Sequence, residues 1–450
     1  MEGILPADSP PAPARRFALL LVLLAAACGS DTSAGTEQTA TTDATSTSGA
    51  VATTGTEAGT TDAPTSRTTG DPPTTSTTST TGTTGALSDT GEPATTDGTG
   101  EAGSTGEAGS TGEPASTGDE PPVDPCAHQD DAPPAVDAPK AINDDPAFIQ
   151  VYVNNIENLK IQGEQCPGDW TDLIAYMKSI EPSPDLFLVQ QISDAAQLDT
   201  LVQRMTDELP GIFEGIIADA DPWTQLSPCG KEKEKQTNAI IIRQGRFAKA
   251  SEKHVWQSWV NKDGECVRNH QARTRNVMIK LHDKIADKDV TVASLHWATA
   301  QGEGPDPACA KQNVLEADAK LHKKEFGGDL LIFGGDFNEP DRKDNDDWRP
   351  WYAEANGEVG GALNYRDPIF RACKSGGGLQ ACLDDNWTIG GERRIDMLFG
   401  QDGHGCRARS RRAHTITYAE AEAAAKQLTG DTDPELNYSE HRGIRAEFYY

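Results

Sequence analysis

Six side chains that can bind a metal ion or carry a proton lie beside short apolar runs in the second half of the sequence. These side chains are His296, Asp336, Asn338, Asp396, Glu440 and His441. Carboxylate, amide and imidazole groups coordinate divalent metals and move protons to and from water. Because sheet proteins place such groups where strands end, the pattern predicts one site assembled from several strands.

The apolar runs that would position these groups have the length of strands. They cover residues 148–153, 186–190, 239–242, 277–281, 290–295, 330–333, 395–399 and 442–448. Between them, amphipathic stretches at 170–180, 195–206, 308–326 and 418–428 have helical periodicity, and the polar or glycine-rich stretches 341–349 and 375–378 predict loops. The sequence therefore predicts an α/β domain with many strands.

Composition separates this domain from the segment that precedes it. Residues 123–450 contain all eight Trp, all eight Tyr and eight of the nine Cys, whereas residues 31–122 contain no Cys, Trp, Tyr or Phe. A segment of Thr, Ser, Gly, Ala, Pro and acidic residues cannot bury a core. We therefore expect a disordered linker at 29–122 and a folded domain at 123–450.

The N-terminus has the pattern of an export signal. Arg15 and Arg16 precede the apolar run 17–24, and three Ala lie directly before Cys28. Small residues before a cysteine resemble the lipobox of bacterial lipoproteins, which implies lipidation of Cys28 and a signal at 1–28. An ordinary secretory signal is the alternative. Both place the protein in the bacterial envelope or outside the cell. The only membrane contact that we expect is through the lipid anchor, and we infer no protein partner from the sequence.

The remaining cysteines are even in number. Cys126, Cys166, Cys229, Cys266, Cys309, Cys373, Cys382 and Cys406 are all in the folded domain. In an exported protein this predicts up to four disulfides, although the sequence leaves their pairing open.

Charge limits the class of partner. The folded domain has 37 Lys and Arg against 54 Asp and Glu, a formal charge of −17. A protein that coats nucleic acid through many phosphate contacts would have a basic surplus. Transient binding of a phosphate substrate, with help from a metal ion, stays open.

Four short motifs then occur in a fixed order: NIENL at Asn155, GDFNEP at Gly335, RRIDMLF at Arg393 and SEH at Ser439. Their order, with His296 between the first and second, resembles the endonuclease/exonuclease/phosphatase superfamily. The resemblance implies a four-layer sandwich of two β-sheets flanked by helices. It also implies hydrolysis of a phosphodiester with Mg²⁺, or with Mn²⁺ or Ca²⁺ as alternatives.

The resemblance assigns roles to individual positions. His296, Asp336, Asn338, Asp396 and His441 match catalytic positions, with Asp396 orienting His441; Asn155, Gln191 and Glu440 match metal-binding positions. Two positions depart from the family pattern. Gln191 replaces the glutamate that is the main metal ligand, which removes a charge, and Glu440 replaces an aspartate.

Several residues also have a simpler interpretation. Asp396 could pair with Arg393 or Arg394, and the basic stretch 407–412 could be a solvated face instead of a phosphate groove. The acidic residues at 341–347 favour a surface loop over a calcium site, since they lack the EF-hand glycine and final glutamate.

The function indicated is an exported, metal-dependent nuclease that binds nucleic acid transiently. One alternative is a sphingomyelin, phospholipid or inositol phosphate phosphodiesterase or phosphatase; its lipid form predicts exposed loop aromatics such as Trp348 and Trp351. A second alternative is a surface-binding module that has lost activity with the metal glutamate.

Overall fold

The computed structural model describes residues 124–134, 140–156, 170–222, 235–299, 306–391, 393–430 and 438–450. The signal, Cys28 and the linker 29–122 lie outside this part of the chain, as do Cys166 and Cys229. The described residues begin at Asp124 and reach Tyr450, so they cover most of the folded domain that the sequence predicts.

Four central strands, β1, β2, β4 and β11 in the numbering below, are buried along their whole length. In chain order the strands are β1 (Phe148–Asn155), β2 (Leu186–Ile192), β3 (Phe213–Ile217), β4 (Thr237–Arg243), β5 (Phe247–Lys249), β6 (His254–Gln257), β7 (Trp259–Lys262), β8 (Glu265–Arg268), β9 (Arg275–Asp283), β10 (Lys288–His296), β11 (Leu330–Asp336), β12 (Asp396–Asp402), β13 (Arg409–Thr415) and β14 (Ile444–Tyr449). The helices are α1 (Thr171–Ser179), α2 (Ala195–Glu208), α3 (Pro307–Leu321), α4 (Pro350–Ala355), α5 (Pro368–Gly376), α6 (Leu379–Asp385) and α7 (Tyr418–Thr429).

These strands form two large sheets and a small hairpin. The first sheet has the order β13-β14-β1-β2-β4-β3, and the second has the order β12-β11-β10-β9-β5, with β6 also paired to β9. Strands β1 and β2 are parallel, as are β10 and β11, while β14 and β12 run antiparallel to β1 and β11. Strands β7 and β8 pair with each other.

The sheets pack face to face, and helices cover their outer faces. Leu188 of the first sheet and Gly334 of the second approach so closely that a Cβ on Gly334 would lie 3.3 Å from Leu188 Cδ1. Outside the first sheet, α1, α2 and α7 bury a cluster that includes Tyr152 and Phe187. Outside the second sheet, α3, α4 and α5 add Val314, Trp351, Phe370 and others to the main core. The four-layer sandwich of two sheets flanked by helices is thus confirmed.

Three disulfides join described cysteines: Cys126–Cys406, Cys266–Cys309 and Cys373–Cys382. The first ties the segment that enters the domain to the turn between β12 and β13. The second ties the β7–β8 hairpin to α3. Among the described helices, none has the length and apolar character needed to span a bilayer.

Candidate active site

The predicted site residues come together at one edge of the sandwich. Parallel strands β1 and β2 end there with Asn155 and Gln191, and parallel strands β10 and β11 end there with His296 and Asp336. Since β12 and β14 run antiparallel to β11 and β1, they begin at this same edge, which brings in Asp396 and the segment with His441.

Strand alternation explains why these side chains point between the sheets. Ser294 of β10 accepts a hydrogen bond from the Gln190 side chain of β2 at 2.9 Å, so this face of β10 is turned to the first sheet. His296 lies two residues after Ser294 and therefore shares its face. Asp336 has the same relation to Gly334, whose missing side chain would point at Leu188. The inner faces of the two sheets therefore bury the core along most of their length. At the ends of the strands, where the apolar residues stop, the same faces hold the side chains of the site.

The glycine before Asp336 is required by the backbone. Gly335 has a φ of +152°, and a Cβ at that position would lie 1.8 Å from the carbonyl oxygen of Leu295. A side chain at this position would push β10 and β11 apart at the site. The second glycine of the GGDFNEP sequence therefore lets His296 and Asp336 lie on directly adjacent strands.

The Asp336 carboxylate is the centre of the site. Its Oδ2 accepts a hydrogen bond from Asn155 Nδ2 at 2.9 Å, and lies 3.4 Å from His296 Nε2 and 4.0 Å from His441 Nε2. Burial opposes ionisation of this carboxyl, but the His441 and His296 charges and hydrogen bonds from Asn338 and Asn155 outweigh it and lower its pKa. Asp336 is therefore a buried anion held between two imidazoles.

His441 has a second carboxylate on its other side. Its Nδ1 lies 2.9 Å from Asp396 Oδ2, and both residues are buried. Burial raises the pKa of Asp396 to about 6; His441 works against this rise, and the nearby Asp336 charge adds to it. The pair leaves His441 Nε2 directed at Asp336. The alternative pairing of Asp396 with Arg394 is wrong, because Arg394 binds Asp341 and Asp367.

Asn338 closes the site through a tight turn. Its backbone N–H donates to Asp336 Oδ1 at 2.8 Å, and its Nδ2 donates to the Trp297 carbonyl at 2.9 Å. It has a φ of +51°, in the left-handed region that Asn tolerates better than most residues. Asn338 therefore links the end of β11 to the end of β10.

Three further residues form hydrogen bonds that hold the site in place, and none of them was assigned a role from the sequence. Thr388 Oγ1 accepts hydrogen bonds from the backbone N–H groups of Ile395 and Asp396, each at 3.0 Å, and so fixes the start of β12. Asn154 Nδ2 donates to the His441 carbonyl at 3.0 Å. Asn276 Oδ1 accepts from the His296 N–H at 2.9 Å.

The predicted metal-binding residues come from adjacent segments. Asn155 pairs in register with Gln190, the neighbour of Gln191, and the Asn155 carbonyl accepts a hydrogen bond from Ser439, the neighbour of Glu440. Gln191 is buried, and its Oε1 accepts no hydrogen bond from the described residues. The side chain of Glu440 is half-buried.

A second possible ligand set consists of residues that the sequence assigned to catalysis. Asp336, Asp396 and His441 are all buried, and one ligand atom from each lies within 4.8 Å of the others. Two carboxylates and an imidazole suit a divalent cation. The unpartnered Gln191 Oε1 and Asp396 Oδ1 would provide further acceptor oxygen. The residues at this edge therefore fit a divalent metal, while the individual ligands stay a prediction.

The structure also bears on the two tryptophans and on the basic stretch 407–412. Trp351 is buried and Trp348 is half-buried against Tyr352 and Phe370, so the expectation that these tryptophans are exposed is wrong. In the basic stretch, Arg412 of edge strand β13 binds Glu447 at 3.0 Å, and Arg407 binds Asp130 at 2.7 Å. These two charges are therefore already paired with carboxylates.

The acidic loop at 341–349 is mostly a surface loop. Its Asp344, Asp346 and Asp347 are exposed, whereas Asp341 is buried and paired with Arg394 and Arg342.

No family model matches the chain, and no curated protein matches it. Among solved structures, the human Nocturnin catalytic domain with bound sulfate is 14% identical; the match covers 67% of this chain and 94% of that one, at a TM-score of 0.43. D. rerio TDP2 complexed with a single-strand DNA product is 15% identical over 67% of this chain and 99% of that one, at 0.42. An endonuclease/exonuclease/phosphatase from Bacteroides vulgatus is 13% identical over 67% and 98%, at 0.42. The activity and substrate of this chain do not follow from these similarities.

Proposed function

We propose that the chain is a divalent-metal-dependent phosphodiester hydrolase of the endonuclease/exonuclease/phosphatase superfamily, acting as a nuclease. The observation that carries the proposal is the Asp336 carboxylate held between His296 Nε2 and His441 Nε2, with Asp396 behind His441. Phosphodiester hydrolysis needs an oriented water, a proton acceptor and charge placed around the phosphate.

His441 is the proton acceptor in this proposal. Asp396 accepts the Nδ1–H of the imidazole, which leaves Nε2 unprotonated and able to take a proton from water. Asp336 Oδ2 lies 4.0 Å from Nε2, so one water can hydrogen-bond to both groups and be oriented by them. The imidazolium formed is then stabilised by the two carboxylates.

His296 and Asn338 supply donors close to Asp336. His296 Nε2 lies 3.4 Å from Asp336 Oδ2, and the Asn338 side-chain amide is fixed by the Trp297 carbonyl. A phosphate bound beside Asp336 would develop negative charge towards these donors as the leaving oxygen departs. Preorganised donors of this kind stabilise the transition state because they need little reorientation.

A divalent metal fits the same edge. The residues that would hold it are Gln191, Asn155 and Glu440, as the resemblance implies, or the carboxylates of Asp336 and Asp396 with His441. When bound, it would supply positive charge to a phosphate oxygen. Gln191 can contribute an amide oxygen but no negative charge, so we expect weaker metal affinity than with a glutamate.

Hydrolysis tests the proposal directly. We expect the protein to cleave DNA or RNA and bis(p-nitrophenyl) phosphate in the presence of Mg²⁺ or Mn²⁺, and EDTA to stop the reaction. His441→Ala should abolish both activities, while His404→Ala, which changes an exposed histidine, should leave them intact. Full activity of the His441 variant would refute the mechanism.

Two alternatives are separated by other measurements. A sphingomyelin or phospholipid substrate predicts release of phosphocholine from liposomes, and an inositol phosphate substrate predicts release of inorganic phosphate. The buried Trp351 removes one feature that favoured the lipid substrate. A binding module without activity predicts no metal binding at millimolar Mg²⁺ or Mn²⁺ by calorimetry.

We also propose that the domain acts in the bacterial envelope, anchored by a lipid on Cys28 after export. The support is the sequence of the signal, because Cys28 lies outside the described residues. Mass spectrometry of the N-terminal peptide from membrane fractions tests the anchor. Release of a Cys28→Ser variant into the soluble fraction is the expected result; an unchanged membrane fraction would contradict it.

A further inference from the structure

A cavity of about 520 Å³ lies beside the active site, and the proposed mechanism does not use it. One wall is the loop after the GDFNEP motif, with Arg342, Lys343 and Arg349. The other wall includes Arg393 and Arg394, which lead into β12. This volume is within the range of small-ligand sites. We call this cavity the arginine pocket.

The arginine pocket is locally basic in an acidic domain. Its lining contains five Lys and Arg side chains against three aspartates, Asp341, Asp344 and Asp384, while Asp367 and Glu339 outside the lining pair with Arg394 and Arg349. The folded domain as a whole has 17 more acidic than basic side chains. Cations without a carboxylate partner inside a concavity concentrate anions there, because the surrounding low-dielectric walls focus the field.

Ion pairs offset part of this positive charge. The buried Arg394 binds Asp341 at 2.8 Å and Asp367 at 2.7 Å through Nη2, while its Nη1 has no hydrogen-bond partner among the described residues. Arg342 binds Asp341 at 2.9 Å and Asp384 at 2.6 Å. These contacts hold the walls of the pocket in place.

Two cations of the pocket are not held in ion pairs of this kind. Lys343 and Arg393 are exposed, and neither forms an ion pair with an acidic side chain of the described residues. They come from different segments of the chain, one after β11 and one before β12. Their charges are therefore available to an anion that enters the pocket.

Chain connectivity places the pocket close to the reacting groups. Asp336 and Asp396 are directly opposite in the β11–β12 pair. Pro340 of the pocket follows Asp336 by four residues, so their Cα atoms are at most about 14 Å apart. Arg394 precedes Asp396 by two residues, at most about 7 Å. Phosphates of one nucleic-acid strand advance about 3.4 Å each along a helix axis, so the pocket is within a few nucleotides of the scissile bond.

We propose that the arginine pocket binds a non-scissile phosphate of a polynucleotide substrate. This inference rests on the proposed function and extends it, because it makes the substrate a strand with several phosphates rather than an isolated phosphodiester. Phosphate contacts of this kind set the register of a strand without reading its sequence. The pocket also offsets the overall negative charge of the domain where the strand must lie.

The test compares two substrates in a variant that lacks both available charges. Lys343→Gln with Arg393→Gln should raise KM for a single-stranded oligonucleotide about tenfold, and should reduce the slope of log KM against log salt by about one to two. The kinetics on bis(p-nitrophenyl) phosphate, which has one phosphate, should not change. Lys178→Gln with Lys324→Gln removes the same charge from two exposed lysines outside the pocket, and should change neither substrate.

A binding measurement separates failure of the pocket from failure of the proposed function. In EDTA, fluorescence anisotropy of a labelled oligonucleotide should show about tenfold weaker binding to the pocket variant than to the unchanged chain, whether or not hydrolysis occurs. Equal binding by both proteins would overturn the pocket proposal. An inositol polyphosphate is measured as a second ligand. If the pocket variant binds it more weakly but binds the oligonucleotide as before, the assignment to a polynucleotide is overturned. Absence of hydrolysis by the unchanged chain would contradict the proposed function alone.

Discussion

His441 Nδ1 lies 2.9 Å from Asp396 Oδ2, so the carboxylate determines which ring nitrogen of the histidine holds the proton. Thr388 fixes Asp396 in turn, through two hydrogen bonds to backbone N–H groups at the start of β12. Asp396 therefore acts on the reaction through His441 and is a positioning residue.

Replacement of Asp396 by asparagine should separate the orientation of His441 from the binding of substrate. The amide can donate to Nδ1 and stabilise the tautomer with a proton on Nε2, which cannot accept a proton from water. We expect kcat to fall about 10²- to 10⁴-fold, the range for loss of general-base catalysis, with little change in KM. Steady-state kinetics on bis(p-nitrophenyl) phosphate at saturating metal measures both constants.

The matched control for this experiment is Asp385→Asn, an exposed aspartate at the end of α6. It changes the same functional group away from His441 and should retain full kcat. A kcat within twofold of the unchanged protein for Asp396→Asn would show that Asp396 does not orient the base.

The sequence predicted the central strands because their apolar residues are buried on both faces. The runs that became β1, β2, β4, β9, β10, β11, β12 and β14 were all recognised, within a few residues at each end. Edge strand β13 was missed because it has the sequence RSRRAHT, whose charged side chains stay partly exposed. The hairpin β7–β8 was missed because its half-exposed residues have no clear apolar alternation.

The site was predictable to the extent that its residues occur at strand ends in a recognisable order. His296, Asp336, Asp396 and His441 meet as the resemblance implied. Thr388 could not be predicted, since its role depends on where its hydroxyl lies relative to the backbone of β12 and no local pattern encodes this. Disulfide pairing also depends on distances between segments far apart in the chain, such as Cys126 and Cys406.

Restoring the carboxylate at position 191 should strengthen metal binding. Gln191 is buried and its Oε1 has no hydrogen-bond partner among the described residues, so Gln191→Glu would place an unpaired charge there. Without metal this charge is costly, and we expect about 1 to 3 kcal/mol lower stability in EDTA. Bound Mg²⁺ would compensate it, so calorimetry should show at least tenfold tighter binding.

Gln427→Glu is the control, because Gln427 is exposed on α7 and the substitution adds the same charge. It should alter neither stability in EDTA nor metal affinity. If Gln191→Glu lowers stability and metal does not restore it, Gln191 is not at the metal site, and the set of Asp336, Asp396 and His441 is favoured instead.

Glu339 should make the folded state less stable as the pH rises. Its side chain is 1% exposed, and Arg349 Nε is 3.2 Å away. Burial raises its pKa from 4.5 to about 7, although Arg349 lowers it, and Asp306 adds to the rise. Between these two pH values the folded protein holds a proton that the unfolded chain has lost. The stability from this group is therefore complete below pH 4.5 and disappears as the pH rises through about 7.

Glu339→Gln removes this titration, so the comparison with the unchanged protein isolates it. From pH 4.5 to 8, the unchanged protein should lose up to about 3 kcal/mol of unfolding free energy relative to the variant. Urea denaturation across this range measures the difference, with Glu325→Gln as the control, since Glu325 is exposed. Parallel curves for Glu339→Gln and the unchanged protein would mean that Arg349 keeps Glu339 ionised in the folded state, and that its burial is fully compensated by the ion pair.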